Sequence, residues 1–403
     1  MYSVTFVSNY INHHQLPFCQ EMWNLLGDRF HFIQTMPMEQ KRLDMGWGLD
    51  PKAYPFVELF YEKKEECRRL LLDSDVAIFG WSEGLVSDIE AQRFSSGKLS
   101  FKMSERIYRE GQWKFLSPNG LKNKYEEHIK YRKMPVYLLC TGAYVASDFS
   151  LIRSYPGKML KWGYFPGANG EQTVSRDVEK EKDSGAGPIR LCWAGRMIEL
   201  KHPEFAVEAA KRLKEKGYNF TLDLIGEGNM RMYLEKLVAN YGLKNVVNIW
   251  GNLQPVEVLD KMRASDVFLF TSNYLEGWGA VVNEAMQSGC CVVASYEAGA
   301  VPFLIEDGVN GLYYKNGSFD EFYARLVYLF ENKEVIGRLA ERGNRTVSEK
   351  WNAHNAAGEF MRFCSEYLES GAAAPAKEGP MSKAEVIKPA GFLRTLEEKN
   401  KLE

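Results

Sequence analysis

A chain of 403 residues exceeds the roughly 250–300 residues at which a single hydrophobic core stops growing, so two domains are expected. Hydrophobic residues at 45%, charged residues at 26% and a formal net charge of -2 are ordinary globular values, which exclude disorder and fibres and nothing more.

The chain opens on a strand-like run at 2–8 without a basic n-region or cleavage site, so no signal peptide is expected. No apolar stretch reaches the ~20 residues of a membrane span. Further strand-like runs follow at 30–35, 76–80, 99–103, 136–141 and 159–164, with helical-period segments between them. The turn-rich stretch from Pro166-Gly167-Ala168 to Pro188 lacks apolar periodicity and reads as a boundary. Beyond it strands recur at 189–194, 220–225, 246–250, 267–271 and 291–294, and a helix at 203–216 opens on proline and closes at Gly217. Such alternation, met twice, predicts two βαβ domains around parallel sheets. The expected division is 1–168, then 169–350, a terminal helix over 351–370 packing back on the first domain, and a flexible Ala-, Pro- and Lys-rich tail over 371–403.

There is a short internal echo. Ser74-Asp75-Val76-Ala77-Ile78-Phe79 is matched by Ser265-Asp266-Val267-Phe268-Leu269-Phe270, and each is followed by Glu-Gly, at Glu83-Gly84 and Glu276-Gly277. An Asp before a buried strand is also what a common helix-to-strand connection gives. The seven cysteines are odd in number, show no CxxC spacing and sit partly in apolar runs, so a reducing, cytoplasmic compartment is expected.

Two clusters in the second half carry chemistry. The run Glu276-Gly277-Trp278-Gly279-Ala280-Val281-Val282-Asn283-Glu284 follows a strand and sets two carboxylates eight positions apart. Gly277 and Gly279 permit a tight turn and close backbone approach, and a helix starting near Gly279 leaves its first amides, about Ala280 and Val281, open to a diphosphate. One carboxylate can grip sugar hydroxyls and the other can accept from a ribose; a solvated helix face shows the same spacing. The other cluster runs from Ala194-Gly195-Arg196 to Lys201-His202-Pro203, after the domain's first strand and before its helix. Arg196 and Lys201 are thereby placed where two cations stabilise a leaving nucleoside diphosphate without a metal, the competing reading being surface pairs with Glu199 or Glu204.

Strand-Gly195-Arg196-(x4)-Lys201-x-Pro203-Glu204, the Gly226-Glu227-Gly228 turn, the Gly251-Asn252-Leu253 turn and Glu276-(x7)-Glu284-Ala285-Met286 resemble, in that order, the donor half of the retaining GT-B glycosyltransferases of family 4. The resemblance implies an α/β GT-B fold, with two Rossmann-like β/α/β domains facing a central cleft, and a nucleoside-diphosphate sugar donor, UDP commonest. It implies that Arg196, Lys201 and Glu276 form the catalytic set, the first two holding the diphosphate and Glu276 the sugar. Glu284 would hold the ribose, with Glu227 and the backbone around Asn252 near the nucleoside; Gly195, Gly277, Gly279, Ala280 and Val281 complete the donor-binding set. Retention then fits a front-face displacement. Cys291 stands where the family usually has proline and Ala298-Gly299 where it has a Gly-Gly pair, and the loop Ser8 to Gln15 lacks the glycine pair of many members.

On the acceptor side four loops at strand ends are nominated, 12–14, 81–84, 104–106 and 141–143, with His14, Glu105 and Arg106 as candidate residues; Asp148 reads as a helix or turn residue. Asp73-Ser74-Asp75 has a metal-binding DxD spelling but precedes its strand, so it reads as a cap, and neither metal nor cofactor is expected. Between Arg93 and Lys133 eleven Lys/Arg face four Asp/Glu, a net +7, which suits anionic lipid headgroups, a diphosphate-bearing acceptor or a solvated surface. The expected partners are a nucleotide sugar and a saccharide or lipid-linked acceptor, in cell-surface polysaccharide or glycolipid synthesis, with peripheral contact at the inner membrane face and no nucleic acid. A sugar-nucleotide 2-epimerase and a non-catalytic binding protein are the alternatives.

Overall fold

The computed structural model describes residues 2–40, 48–167, 187–315 and 317–389. They form two compact units, one holding 2–167 with 350–389 and the other 187–349. The first contains β1 (Val4–Ser8), β2 (Phe30–Gln34), β3 (Val57–Leu59), β4 (Val76–Phe79), β5 (Ser100–Ser104), β6 (Val136–Thr141) and β7 (Met159–Trp162) in the order β3-β2-β1-β4-β5-β6-β7. The second contains β8 (Ile189–Ala194), β9 (Phe220–Ile225), β10 (Val247–Gly251), β11 (Val267–Phe270), β12 (Cys291–Ser295) and β13 (Leu312–Tyr314) in the order β10-β9-β8-β11-β12-β13. Every pairing between these strands is parallel.

Central strands such as β4 (VAIF), β11 (VFLF) and β12 (CVVAS) are buried along their whole length, as unbroken apolar runs must be when helices cover both sheet faces. At the edge, β10 exposes Asn248 and Trp250. The three-residue strands β3 and β13 are additions to the expected set, too short to show a period.

Both sheets reverse direction at their first strand: β1 lies between β2 and β4, and β8 between β9 and β11. Ligands of open α/β sheets bind outside the carboxyl ends at such reversals. The internal echo sits on them. The Asp75 carboxylate accepts from the Ser3 amide at 2.8 Å, and the Asp266 carboxylate from the Arg190 amide at 2.9 Å, so one device ties the strand beyond the reversal to the first strand of its unit. Asp75 is thereby spent on the sheet, its carboxyl held below the usual range chiefly by that amide.

The helix Ala353–Ser370 belongs to the first unit. Asn352 caps it by accepting from the Asn355 amide, and Phe360 packs its ring against Phe101, Phe18 and Trp162 at centroid separations of 4.9, 6.1 and 6.3 Å. Residues 371–389 correct the expectation of a flexible tail. Lys161 N–H donates to Ser382 O at 2.7 Å, Met381 N–H to Lys161 O at 2.9 Å and Ala384 N–H to Met159 O at 3.0 Å, laying the segment along β7 with Met381 buried. Backbone pairing at a sheet edge asks little of side-chain composition. The stretch 390–403 lies outside the described residues.

Phe360→Ala is expected to destabilise the first unit by about 3–5 kcal/mol, read as a fall in that unit's urea midpoint with the second unit's transition in place.

Candidate functional site

The loops after β8, β9 and β10 are fastened by backbone contact. Gly195 N–H donates to Ile225 O at 3.0 Å, Gly226 N–H to Gly251 O at 2.8 Å and Met197 N–H to Glu227 O at 2.7 Å. A Cβ on Gly226 would overlap the carbonyl of Gly195, and one on Gly228 the carbonyl of Met197; Gly226 also has φ +129°. Only glycine allows this approach. With Met197 buried beneath, Arg196 is turned to solvent and has no side-chain partner among the described residues.

The chain then makes a single 3-10 turn, Glu199–Lys201, passes through left-handed His202 (φ 45°) and enters the helix Pro203–Glu215. This turn is laced to the loop after β11. Trp193 Nε1 donates to Thr271 Oγ1 at 2.8 Å, and that hydroxyl donates to Lys201 O at 2.7 Å. Asn273, buried, donates its amide N–H to Leu200 O at 2.8 Å, accepts from Leu275 N–H at 3.0 Å and sets its Nδ2 3.3 Å from His202 Nε2, whose Nδ1 lies 2.6 Å from Glu204. Glu276 N–H closes the loop on Asn273 O at 3.0 Å. As a result the Lys201 ammonium meets the Glu276 carboxylate in an ion pair, both side chains being largely buried at 16% and 14% exposure. Lys201 thus pairs across the strand reversal, and Glu204 is held by His202, instead of forming the local surface pairs that spacing also allowed.

Gly279 (φ +89°) lies where a Cβ would stand 2.7 Å from the Phe270 ring. The indole of buried Trp278 donates to Asn283 Oδ1 at 2.9 Å. The helix Val281–Gln287 begins two residues beyond Gly279, with Ala280 at its cap, so the amides of Gly279, Ala280 and Val281 stand outside its ladder. Gly277 is half-buried in the turn before it. Burial pushes the carboxyl of half-buried Glu284 up to about 7. Glu227 pairs with Arg231, which also donates to Glu235 at 2.9 Å, and Asn252 is exposed beside Gly251.

Sequence reasoning missed Asn273, Thr271 and Trp193. For Thr271 and Asn273 the signal was polar residues, Thr271-Ser272-Asn273, persisting past the apolar strand; Trp193, inside β8, carried none.

In the first unit, Asn12 Oδ1 accepts from the amides of His14 (3.0 Å) and Gln15 (3.2 Å), and the His14 ring lies 5.8 Å from that of Tyr164. Glu105 pairs with Arg109 and accepts from Tyr164 Oη at 3.1 Å. Arg106 is a correction: its guanidinium turns inward in a two-pronged pair with Asp148 (3.2 and 3.1 Å), whose fully buried carboxylate also accepts from Tyr108 N–H and Gln112. It braces the fold and offers an acceptor nothing. The basic segment disperses likewise. Arg93 is buried on backbone carbonyls, Lys98 caps two more, and Lys102, Arg109, Lys114, Lys124 and Lys130 pair with Glu90, Glu105, Glu110, Glu127 and Glu126. Among the described residues that leaves Lys122, Arg132 and Lys133 without a partner. Nor is any described helix long and apolar enough to cross a membrane.

Residues 175–346 match the family model for glycosyl transferases group 1. An uncharacterized glycosyltransferase of Methanocaldococcus jannaschii is 29% identical over 196 residues, 48% of each chain, and the amylovoran biosynthesis glycosyltransferase AmsK of Erwinia amylovora is 28% identical over 195 residues, 47% of each. The matched stretch spans about half the length of these relatives. Among solved structures, Anabaena HepE in complex with UDP and glucose aligns over 92% of this chain and 100% of its own with a TM-score of 0.64 at 16% identity. Sucrose-phosphate synthase from Thermosynechococcus elongatus aligns over the same shares at 0.61 and 15%.

The fold is GT-B. The second unit is similar over most of its length to the group 1 glycosyltransferases, and its charged and glycine-rich loops gather at the strand reversal between β8 and β11.

Gly226→Ala is expected to cost about 1–3 kcal/mol through overpacking in addition to its backbone strain. Its effect on the second unit's urea midpoint should therefore exceed that of Gly217→Ala, where φ is +77° but no atom lies within 4 Å of the added carbon.

Proposed function

We propose that this chain is a retaining family 4 glycosyltransferase that moves a sugar from a nucleoside-diphosphate sugar, UDP-linked, to a saccharide or lipid-linked acceptor in cell-surface polysaccharide or glycolipid synthesis. The observation that carries the reading is the Lys201–Glu276 pair set across the strand reversal, with Arg196 unpartnered on the same loop. When a diphosphate enters, Lys201 and Arg196 face its charge, and Glu276 exchanges its cation for sugar hydroxyls. In the transfer step the acceptor oxygen bonds to the anomeric carbon as the bond from that carbon to the phosphate oxygen breaks, and the acceptor's proton passes to the phosphate. Lys201 and Arg196 act where negative charge grows, so neither metal nor cofactor is required of this site. HepE, similar in fold, was solved in complex with UDP and glucose, and AmsK is named for amylovoran biosynthesis, which supports the choice of donor and pathway. Seven buried cysteines, none in a disulfide, suit a reducing cytoplasm.

UDP should raise the melting temperature, and a panel of UDP-sugars should identify one that is slowly released as free sugar and UDP. Lys201→Ala and Glu276→Ala should each lower turnover on the order of 100-fold or more; turnover retained in both folded variants overturns the assignment.

Glu284 predicts a pH dependence. With its carboxyl near 7, the carboxylate that accepts from a ribose diol is present above that pH and lost as pH falls through it. UDP affinity measured by calorimetry should therefore drop between pH 8 and pH 6, and Glu284→Gln should be weak and flat across the range.

A further inference from the structure

The first unit has its own strand reversal, between β1 and β4, and the loop on it is built unlike a plain connection. Gly80 packs so closely that a Cβ would stand 3.1 Å from Ser8 Oγ and 3.2 Å from Val7 O, while Ser8 Oγ donates to the Trp81 carbonyl at 3.3 Å. The backbone of Trp81 is therefore fixed against the end of β1, yet the residue is 70% exposed. Next comes a turn in which Leu85 N–H donates to Ser82 O at 3.0 Å and both central residues are left-handed, Glu83 at φ 51° and Gly84 at φ 79°. Turns of this hand favour Asn-Gly or Gly-Gly. Glu83 holds a strained position that glycine would fill more easily, and its carboxylate is exposed with no partner among the described residues. Strain kept at an exposed, unpartnered acid points from backbone to function.

The geometry points to a saccharide subsite at this reversal, in which the Trp81 indole is the platform for one face of a pyranose ring and the Glu83 carboxylate accepts from its hydroxyls. The inference rests on the transferase reading and supplies its acceptor side. The chemistry selects the ligand class. Neither Ser8 to Gln15 nor Gly80 to Ser87 contains a lysine or arginine, whereas the reversal of the second unit presents Arg196 and Lys201. A phosphate would find no cation on these two loops; an uncharged polyol needs a flat apolar surface for its C–H face and an anionic acceptor for its O–H groups. The placement also completes the echo, since Glu83-Gly84 follows β4 as Glu276-Gly277 follows β11.

The test uses the full chain and the methyl glycosides of glucose, galactose, mannose and N-acetylglucosamine, followed by saturation-transfer NMR and calorimetry, with the UDP-induced thermal shift recorded on every variant. At least one glycoside should bind. Trp81→Ala should weaken it 10-fold or more and Trp81→Phe no more than about 3-fold, since a phenyl ring keeps part of the platform. Glu83→Gly should weaken it several-fold while the melting temperature holds or rises, a combination that a merely structural glutamate cannot give. The UDP shift should survive in all three. Failure of every glycoside to bind, or binding by Trp81→Ala and Glu83→Gly at wild-type strength, overturns the subsite. Glycoside binding that depends on Trp81 in a protein that shows no UDP shift overturns the donor reading and leaves the subsite standing.

Discussion

In the middle of each sheet a carboxylate holds the amide of the neighbouring first strand, Asp75 that of Ser3 and Asp266 that of Arg190. Parallel strands joined by crossovers have no hairpin to set their register. A charge-assisted hydrogen bond at the amino end of the pair fixes where each strand begins, and a strand of four residues then fixes where it ends. The loops at the carboxyl ends inherit that register: Trp81 in one unit, Thr271 to Glu276 in the other. A slip of one residue would invert the faces of β4 or β11 and carry these loops off the reversal.

The Lys201–Glu276 pair has a physical logic of its own before any ligand binds. Two largely buried charges of opposite sign compensate each other, whereas either alone would face a desolvation penalty of several kcal/mol. The pair therefore holds both groups in place until a ligand arrives that offers each a replacement: phosphate oxygens for the ammonium, hydroxyls for the carboxylate. Its precision comes from neighbours on either side. Trp193, Thr271 and Asn273 tie the two loops together through hydrogen bonds that end on backbone groups beside the pair, which removes the freedom of the main chain that carries it. Arg196 has no such brace and stays at the surface, available for the charge that the pair does not meet.

Much of the fold is legible in the sequence because central parallel strands buried on both faces, such as β4, β11 and β12, are unbroken apolar runs, and the expected strand-like runs fall on eleven of the thirteen described strands. The strands β3 and β13 have none, being too short for any pattern. The donor loops are legible because glycines that permit backbone overlap, Gly226 and Gly228, cannot be replaced by other residues without displacing a carbonyl. Residues 371–389 escape a reading by composition since their attachment to β7 is made by main-chain groups, which composition does not reveal. Arg106 escapes it because its partner, Asp148, lies 42 positions away, and nothing local distinguishes a cation that turns inward from one that faces a ligand.

The two strand reversals share a framework and differ in what they present. One offers Arg196, Lys201 and a row of glycines, the other an exposed indole, a strained acid and no cation on either bordering loop. Cations in a partly desolvated setting favour a diphosphate, because its charge repays the loss of water; an aromatic plane with one carboxylate favours a neutral polyol, whose C–H face loses little water on stacking. A duplicated frame can thus separate charge from hydroxyl recognition by changing only the residues that border the reversal. The strain at Glu83 fits this division. Glycine at that site would relax the turn and remove the single anionic acceptor it carries, so the backbone cost is explained by what the side chain reaches.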